Sequence, residues 1–212
     1  MSVERFVLEH LPPAPSRVLE VGCGTGELAL GLSAAGYGIV AIDPGAPEGG
    51  VFRRVQLEEF EASKPFDAVV ASRSLHHIED LHAAVDRIAD LLRPEGVLIV
   101  NEHAWDRLDQ RTAHWYLHQL RARDHDAPAS LATCLREWQQ DHAGLHGYSA
   151  MRRELDRRFR ERYFRWLPYL HGELGDPSVE AEERHLIDAG EIEATGFRYV
   201  GERHSPRPDA QS

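Results

Sequence analysis

The chain is predicted to adopt an α/β fold built on a doubly wound, mostly parallel sheet of six or seven strands. Between residues 17 and 102, short β-branched runs alternate with helical stretches, which is typical of parallel strands joined by crossover helices. The runs are apolar at consecutive positions, for example at 68–71 and 97–100, as in strands buried on both faces. A turn with three glycines, at residues 22–26, separates the first run from a predicted helix.

The individual elements follow from these runs and from the spacing of apolar residues. Six strands are predicted, at Arg17–Val21, Gly38–Ile42, Phe52–Gln56, Asp67–Ala71, Val97–Val100 and Phe197–His204. Apolar residues three and four positions apart predict helices at Glu27–Ala35, Leu81–Leu92 and Ser178–Ala194, and residues 93–96 are expected to end the second of these.

The rhythm changes after Glu102, where residues 104–171 are polar and rich in arginine, histidine and aromatic side chains. No strand is predicted there. One helical stripe is expected to carry Met151, Leu155, Phe159, Tyr163 and Trp166. We therefore predict three helices, broken near Asp126–Pro128 and Ala143–Gly147. The predicted organisation is a core at 1–103, a helical insertion at 104–177, a closing helix and strand at 178–204, and a flexible tail at 205–212.

Composition limits the class of partner. The 212 residues include 24 Lys and Arg against 35 Asp and Glu, a net charge of −11 that opposes binding to nucleic acid or anionic membranes. A small-molecule partner is the better expectation. No apolar run approaches the roughly 20 residues of a membrane helix, and residues 1–15 lack a continuous apolar stretch, so a cytoplasmic location is expected. The distant Cys23 and Cys134 predict neither a disulfide framework nor a cysteine zinc site. Nothing here indicates the oligomeric state.

The glycine turn is the strongest local signal of a ligand site. Gly22, Gly24 and Gly26 permit a tight turn and leave bare backbone beside the first amides of the next helix. A dinucleotide site needs GxGxxG, but here the third glycine comes one residue early and Glu27 stands in the expected place. Because a carboxylate there would repel a pyrophosphate, the turn counts against NAD or FAD.

Two further positions suit a nucleoside. Asp43 ends the second predicted strand, where an acidic side chain can bind both ribose hydroxyls, although it does not choose between cofactors. Gln56 and Leu57 follow the third predicted strand, where the amide of Gln56 could bind the exocyclic amine of adenine and Leu57 could cover the ring.

Four motifs in register carry a family resemblance, namely VLEVGCGTG (18–26), VAIDP (40–44), FDAVVASRSLHHIED (66–80) and LLRPEGVLIVNE (91–102). Over about 8–102 and 182–199 the chain resembles the class I S-adenosylmethionine-dependent methyltransferases. The resemblance implies a Rossmann-like methyltransferase fold that binds S-adenosylmethionine, with S-adenosylhomocysteine as product, across the carboxyl ends of strands 1, 2 and 4. Members usually end with a reversed strand, and because little chain follows His204, six strands or an irregular edge are expected.

The resemblance also implies roles for particular residues. Glu20, Gly22 and Gly24 would flank the methionine part, while Ser72 and Arg73 would border the sulfonium. The complete implied cofactor set is Glu20, Gly22, Cys23, Gly24, Gly26, Asp43, Pro44, Gln56, Leu57, Ser72 and Arg73.

Methyl transfer is an in-line displacement, so the protein must align the reactants, exclude water and remove a proton from a hydroxyl or ammonium acceptor. His76 and His77 follow strand 4 and His103 ends strand 5, which makes these three the candidate bases. The alternative is that one histidine packs against the cofactor or caps the next helix. In the resembled family the insertion after strand 5 commonly forms the acceptor pocket, and the candidate acceptor contacts are Glu102, Trp115, His146, Tyr148, Trp166 and Tyr169.

Several other candidate residues have a structural explanation as an alternative to a functional role. Glu102 could instead pair with an arginine, and the aromatic residues could simply pack the insertion. The seven arginines between residues 152 and 165 indicate either an anionic substrate or a solvated face with internal ion pairs. His114 and His118, with Asp124 or His125 as a third ligand, have the spacing of a metal site but lack the intervening Glu of HExxH, and no metal is expected.

The predicted function is therefore S-adenosylmethionine-dependent methylation of a small molecule on oxygen or nitrogen. One alternative is a protein of the same fold that binds S-adenosylmethionine or S-adenosylhomocysteine without transferring a methyl group. An NAD(P)-dependent oxidoreductase is the other alternative.

Overall fold

The computed structural model describes residues 1–123 and 127–204. Its strands are β1 (Arg17–Val21), β2 (Gly38–Ile42), β3 (Phe52–Arg53), β4 (Phe66–Ser72), β5 (Leu92–His103), β6 (Phe159–Leu167) and β7 (Gly196–Arg203). Its helices are α1 (Val3–His10), α2 (Glu27–Ala34), α3 (Leu81–Leu91), α4 (Gln110–Arg123), α5 (Leu131–Asp141), α6 (Tyr148–Arg158), α7 (Leu170–Glu173) and α8 (Glu180–Asp188).

All seven strands belong to one sheet, in the order β3-β2-β1-β4-β5-β7-β6. Strand β1 pairs in parallel with β2 and with β4, and β5 continues the parallel arrangement beside β4. The chain moves outward from β1 to β3 and then returns to the other side of β1, so the order reverses between β1 and β4. Ligands of doubly wound sheets bind at such a reversal, outside the carboxyl ends of the strands. The predicted fold class is confirmed, and the sheet has seven strands rather than the six expected from the chain after His204.

The central strands are buried on both faces. Leu19, Val69, Leu98 and Ile99 are all 0% exposed, although they come from three neighbouring strands and include adjacent positions of one strand. Apolar side chains packed at this density dominate the stability of a core. Burial of the strands on both faces therefore explains their consecutive apolar residues, as the sequence predicted.

Two compact units divide the chain. The first contains Met1–Glu102, Ser149–Phe164 and the chain from Arg198 onward, and the second contains His103–Tyr148 and Arg165–Phe197. The predicted insertion at 104–177 is therefore not one body, because α6 and most of β6 belong to the first unit. Asp126 and the predicted tail at 205–212 lie outside the described residues.

The prediction of a strand-free insertion is wrong at β6. The predicted helical stripe runs through Met151 and Leu155 on α6, but the helix ends at Arg158 and the stripe continues on a strand. A spacing of four residues places two side chains on one face of a helix and also on one face of a strand, so the pattern could not separate them. The aromatic residues of this segment favour a strand once a sheet edge is present to pair with it.

Smaller differences concern element ends. Strand β3 stops at Arg53, so Gln56 lies in the turn beyond it. Strand β5 begins at Leu92, which places the predicted helix terminator at 93–96 inside a strand. Helix α8 covers only Glu180–Asp188 of the longer helix predicted there.

The arginine run is largely paired inside the first unit. The ion pairs join Arg157 and Arg158 to Asp86, Arg152 to Asp156 and Glu161, and Arg160 and Arg162 to Glu202. These pairs favour the interpretation of a solvated face with internal ion pairs.

In the described residues, no helix is long and apolar enough to cross a membrane.

Candidate active site

The loop after β1 has the backbone that its glycines predict. Gly22, Gly24 and Gly26 have φ angles of 72°, 50° and 84°, a region that side chains disfavour. A Cβ atom added to Gly22 would lie 2.4 Å from the Cβ of Ser74, which is too close for any side chain. No atom lies within 4 Å of the equivalent position at Gly24. The loop therefore offers bare backbone at Gly24 while it touches the chain after β4 through Gly22.

Asp43 holds this loop from the end of β2. Its Oδ2 accepts a hydrogen bond from the backbone N–H of Gly24 at 3.1 Å, and its Oδ1 accepts one from Gly45 at 2.7 Å. An ionised carboxylate has about four acceptor positions, so these two bonds leave capacity for further donors. The predicted neighbourhood of Asp43 and the glycine loop is present.

Glu20 lies beneath the loop and is 3% exposed. In the described part of the chain its Oε2 has no hydrogen-bond partner. Burial raises the pKa of Glu20 to about 7, the backbone N–H of Ala29 lowers it in part, and the negative charge of Asp43 raises it further. A buried carboxylate with an unused oxygen is suited to receive a cationic group such as an ammonium.

The other predicted cofactor residues differ in how far they are exposed. Leu57 is buried and Gln56 is exposed in the turn after β3, and Pro44 is exposed beside Asp43. The pKa of the Cys23 thiol is raised to about 11, chiefly by burial, so the side chain is a neutral thiol near pH 7.

Strand β4 ends with two residues in unlike conformations. The hydroxyl of Ser72 accepts a bond from the side-chain amide of Asn101 at 3.3 Å. Arg73 is exposed and has a φ of 52°, and its N–H donates to the carbonyl of Asn101 at 2.9 Å. A non-glycine residue in this conformation is strained, and such residues concentrate at functional sites.

A buried carboxylate organises the turn that follows. Glu102 Oε1 accepts hydrogen bonds from the backbone N–H groups of Ser74 and Leu75, each at 2.7 Å. Its Oε2 lies 2.6 Å from His76 Nδ1, and the side chains of Glu102 and His76 are 0% and 7% exposed. Sequence reasoning missed this group, although the parallel register of β4 and β5 would have placed Glu102 near residue 73.

His77 lies next to this group but is exposed. Its ring centroid is 4.1 Å from that of His76. The pKa of His77 is lowered, first by burial and then by the charge of His76, while Glu102 opposes both effects. The structure thus brings His76 and His77 together at the carboxyl end of β4.

In the second unit, His103 is the centre of an aromatic cluster. Its ring lies flat on that of Tyr169, with centroids 4.0 Å apart and planes 6° apart. The rings of Trp138 and His142 contact it at 5.6 Å and 5.2 Å. His103 is 2% exposed, so this candidate base is a buried member of a packed group.

Two more of the predicted acceptor contacts, Tyr148 and Trp166, lie together in the same unit. The rings of Tyr148 and Trp166 lie 4.6 Å apart, and both contact Phe197. The guanidinium of Arg107 lies 3.9 Å from the centroid of Trp166.

The remaining candidates are more dispersed. The Trp115 indole donates to Glu182 at 3.0 Å, and His146 is half-buried in the turn before α6. His114 and His118 are exposed on α4, and their proposed third ligands, Asp124 and His125, lie outside the described residues. Among the residues that are described, no group of three or more metal-binding side chains is present.

Glu183 is a further residue that sequence reasoning missed. It is 0% exposed and accepts hydrogen bonds from the backbone N–H groups of Tyr169, Leu170 and His171 at 2.7–2.9 Å. The same carboxylate lies 3.0 Å from Nδ1 of His171. Glu183 therefore places the turn that presents Tyr169 to His103. A single acidic residue in a polar helix carries no sequence signal of this role.

The comparison with protein families bears directly on this site. Residues 2–168 match a family model described as a methyltransferase domain. The chain belongs to this methyltransferase family. Together with the resemblance of its motifs, this places it among the class I S-adenosylmethionine-dependent methyltransferases, whose cofactor is S-adenosylmethionine. The glycine loop, Asp43 and the unpartnered oxygen of Glu20 fit that cofactor.

Individual relatives agree with the family. The methyltransferase is 32% identical over 172 residues to a ubiquinone biosynthesis O-methyltransferase of Xylella fastidiosa, a match that covers 66% of this chain and 65% of that protein. The matched region is thus slightly less than two thirds of the relative.

Solved structures show the same fold. A methyltransferase from Mesorhizobium loti has a TM-score of 0.59 at 16% identity, covering 94% of this chain and 96% of that one. The N-methyltransferase NodS from Bradyrhizobium japonicum, solved with S-adenosylhomocysteine, has a TM-score of 0.53 at 16% identity, covering 90% and 79%.

Proposed function

We propose that this methyltransferase transfers the methyl group of S-adenosylmethionine to an oxygen or nitrogen atom of a small molecule. The observation that carries the proposal is the glycine loop, which has bare backbone at Gly24 and is tied to Asp43, together with the buried Glu20, whose Oε2 has no partner among the described residues. No other described cluster combines open backbone, an unused buried acceptor and a ribose-binding carboxylate at the reversal of the strand order.

The donor-binding roles follow from these positions. Glu20 would receive the α-ammonium of the methionine part, and Gly22 and Gly24 would lie along it. Asp43 would accept from the ribose hydroxyls while it continues to hold the loop. The other predicted contacts in the cofactor set remain proposals of the same kind, with Leu57 as the buried apolar candidate for the adenine face.

Taken by itself, the second unit has groups that could bind a small molecule. Its two aromatic clusters offer flat apolar surfaces, which suit a small planar molecule. Two buried donors in this unit, the Trp105 indole N–H and the Thr195 hydroxyl, have no partner among the described residues. Because a buried donor without a partner lowers the stability of the protein, a bound molecule whose oxygen atoms accept from these two donors would gain affinity. The name of the Xylella relative likewise favours an oxygen acceptor, and the net charge of −11 disfavours nucleic acid.

When bound, S-adenosylmethionine supplies the methyl carbon and keeps the electron pair of the broken C–S bond on sulfur as the acceptor lone pair bonds to carbon. The protein then has to orient the acceptor, exclude water and take one proton from it. His76 and His77 are the proposed proton acceptors.

Replacing His77 by alanine is expected to lower turnover more than donor affinity, because His77 lies exposed beside His76, a proposed proton acceptor, and is not among the proposed donor contacts. Turnover is measured by release of S-adenosylhomocysteine, and donor affinity by calorimetry. If both quantities fall by the same factor, His77 is a packing residue.

Radiolabelled donor tests the proposed function directly. The protein is incubated with methyl-labelled S-adenosylmethionine and pools of phenols, catechols and amines, and labelled product is separated from the donor. Label transfer with release of S-adenosylhomocysteine supports the proposal. Tight binding without transfer in any pool supports the alternative of a binding protein of the same fold. A thermal midpoint raised by NAD(P) but not by S-adenosylmethionine would indicate the oxidoreductase.

A further inference from the structure

The buried group around Glu102 determines where the proton of one histidine lies. An ionised carboxylate has no hydrogen to donate, and Glu102 Oε1 already accepts from the N–H groups of Ser74 and Leu75. With the carboxylate as acceptor, the 2.6 Å contact between Oε2 and His76 Nδ1 places the hydrogen on Nδ1. In a neutral imidazole, this makes Nε2 the nitrogen that can accept a proton.

We propose that Glu102 is a positioning residue that holds His76 in the Nδ1–H tautomer, so that Nε2 of His76 takes the proton of the methyl acceptor. This inference rests on the proposed function. As the acceptor's O–H or N–H bond breaks, its proton bonds to Nε2 and its electron pair becomes available for the new bond to carbon. The imidazolium that forms lies against the Glu102 carboxylate, and it later returns the proton to water.

The same carboxylate fixes the ring in space as well as its tautomer. Because Glu102 binds two consecutive backbone N–H groups just before His76, the turn cannot rotate without breaking charge-assisted hydrogen bonds. The side chains of both partners are almost completely buried, which strengthens these bonds relative to those in water. A mobile surface histidine would lack this orientation.

The turn also touches the donor loop. Ser74, which donates to Glu102, is the residue that a Cβ at Gly22 would strike. The turn at residues 74–76 therefore contacts the donor loop through Ser74 and also carries His76. This arrangement lets Glu102 set the position of the base relative to the loop at residues 22–26.

The second unit supplies a matched control. Glu183 is equally buried, accepts from three backbone N–H groups and lies 3.0 Å from Nδ1 of His171. It repeats the chemistry of Glu102 around another histidine. A change at Glu183 therefore reproduces the loss of a buried carboxylate without touching His76.

The test replaces Glu102 by glutamine and reads the tautomer of His76 by nitrogen NMR on the histidine-labelled protein with S-adenosylhomocysteine added. The Gln oxygen can still accept from Ser74 and Leu75, but its NH₂ group now faces Nδ1 of His76. We expect the proton to lie on Nδ1 in the original protein and on Nε2 in Glu102→Gln. Glu183→Gln should change the His171 signals and leave those of His76 in place.

Activity on an acceptor found in the labelled-donor screen provides the second measurement. Glu102→Gln should lower kcat by about a hundredfold or more, by analogy with other wrong-tautomer variants, and leave the Kd for S-adenosylhomocysteine within about twofold. Glu102→Asp, which keeps an acceptor-only carboxylate, should retain the Nδ1–H tautomer and more activity. In a His76→Ala background, Glu102→Gln should have little further effect on kcat.

The outcomes separate the two proposals. An Nε2–H tautomer in the original protein, or an additive loss in the double variant, would overturn the role of Glu102. The Nδ1–H tautomer without methyl transfer to any acceptor would instead count against the proposed function, and would leave the hydrogen-bonded geometry of His76 as found. Should Glu102→Gln not fold, Glu102→Asp and His76→Ala still provide the tautomer and kcat comparisons.

Discussion

Replacing Asp43 by alanine is expected to weaken S-adenosylmethionine binding by more than tenfold, or more than about 1.4 kcal/mol. Two losses combine in this variant. The ribose loses its carboxylate partner, and the backbone N–H groups of Gly24 and Gly45 lose the acceptor that shapes the loop. Calorimetry with S-adenosylmethionine and with S-adenosylhomocysteine should show the same loss, since both carry the ribose.

Two controls sharpen this result. Asp43→Asn keeps one acceptor oxygen and should lose less affinity than Asp43→Ala. Asp67 accepts hydrogen bonds from the backbone N–H of Arg17 and from the side chain of Arg93. These bonds lie at the N-terminal ends of β1 and β4, whereas Asp43 follows the carboxyl end of β2. Asp67→Ala should therefore reduce stability without a comparable effect on donor affinity. An unchanged dissociation constant in Asp43→Ala would remove the ribose assignment.

Donor binding is expected to tighten by roughly twentyfold between pH 5.5 and 7.5, because the ammonium of the donor binds best to ionised Glu20. The pKa of Glu20 is about 7 in the free protein, chiefly because of burial. Binding near pH 6 must therefore release about one proton. Calorimetry in buffers of different ionisation enthalpy measures that release, and Glu20→Gln should abolish both the release and most of the pH dependence. Equal affinity at the two pH values in the original protein contradicts the role of Glu20.

The Glu20 carboxyl also makes the free energy of unfolding depend on pH. Because its folded-state pKa of about 7 lies above the value of 4.5 for an exposed group, the folded protein binds this proton more tightly than the unfolded chain. The free energy of unfolding therefore contains a contribution of up to about 3 kcal/mol below pH 4.5, which is lost as the pH rises through 7. Saturating donor should restore part of that loss at pH 7.5, since it pairs the charge.

Local signals predicted the geometry of the glycine loop and of strands β1 and β2 well. The glycines at 22–26 lie in a tight turn, and Asp43 contacts that turn because parallel strands end at one edge of the sheet. Strands β1 and β2 have the predicted ends. Each of these features follows from a local pattern together with the rule that parallel strands end at one edge of the sheet.

Features that depend on distant partners were not predicted. Glu102 binds the turn at Ser74, 28 residues away along the chain, and Glu183 binds Tyr169 from another helix. Both are single carboxylates whose role is defined only by the backbone they meet. Strand β6 was missed for a similar reason, since its aromatic spacing acquires a meaning only when a neighbouring strand is present. Whether the predicted acceptor contacts touch a substrate stays a prediction.

The position of β6 has a consequence for engineering. Because the terminal strand of the sheet is drawn from Phe159–Leu167, in the middle of the chain, a chimera that grafts residues 104–177 from another methyltransferase would also exchange a sheet margin. Transplants meant to alter acceptor choice should therefore use two shorter cassettes, at 104–147 and 168–195, and keep the native α6 and β6 between them.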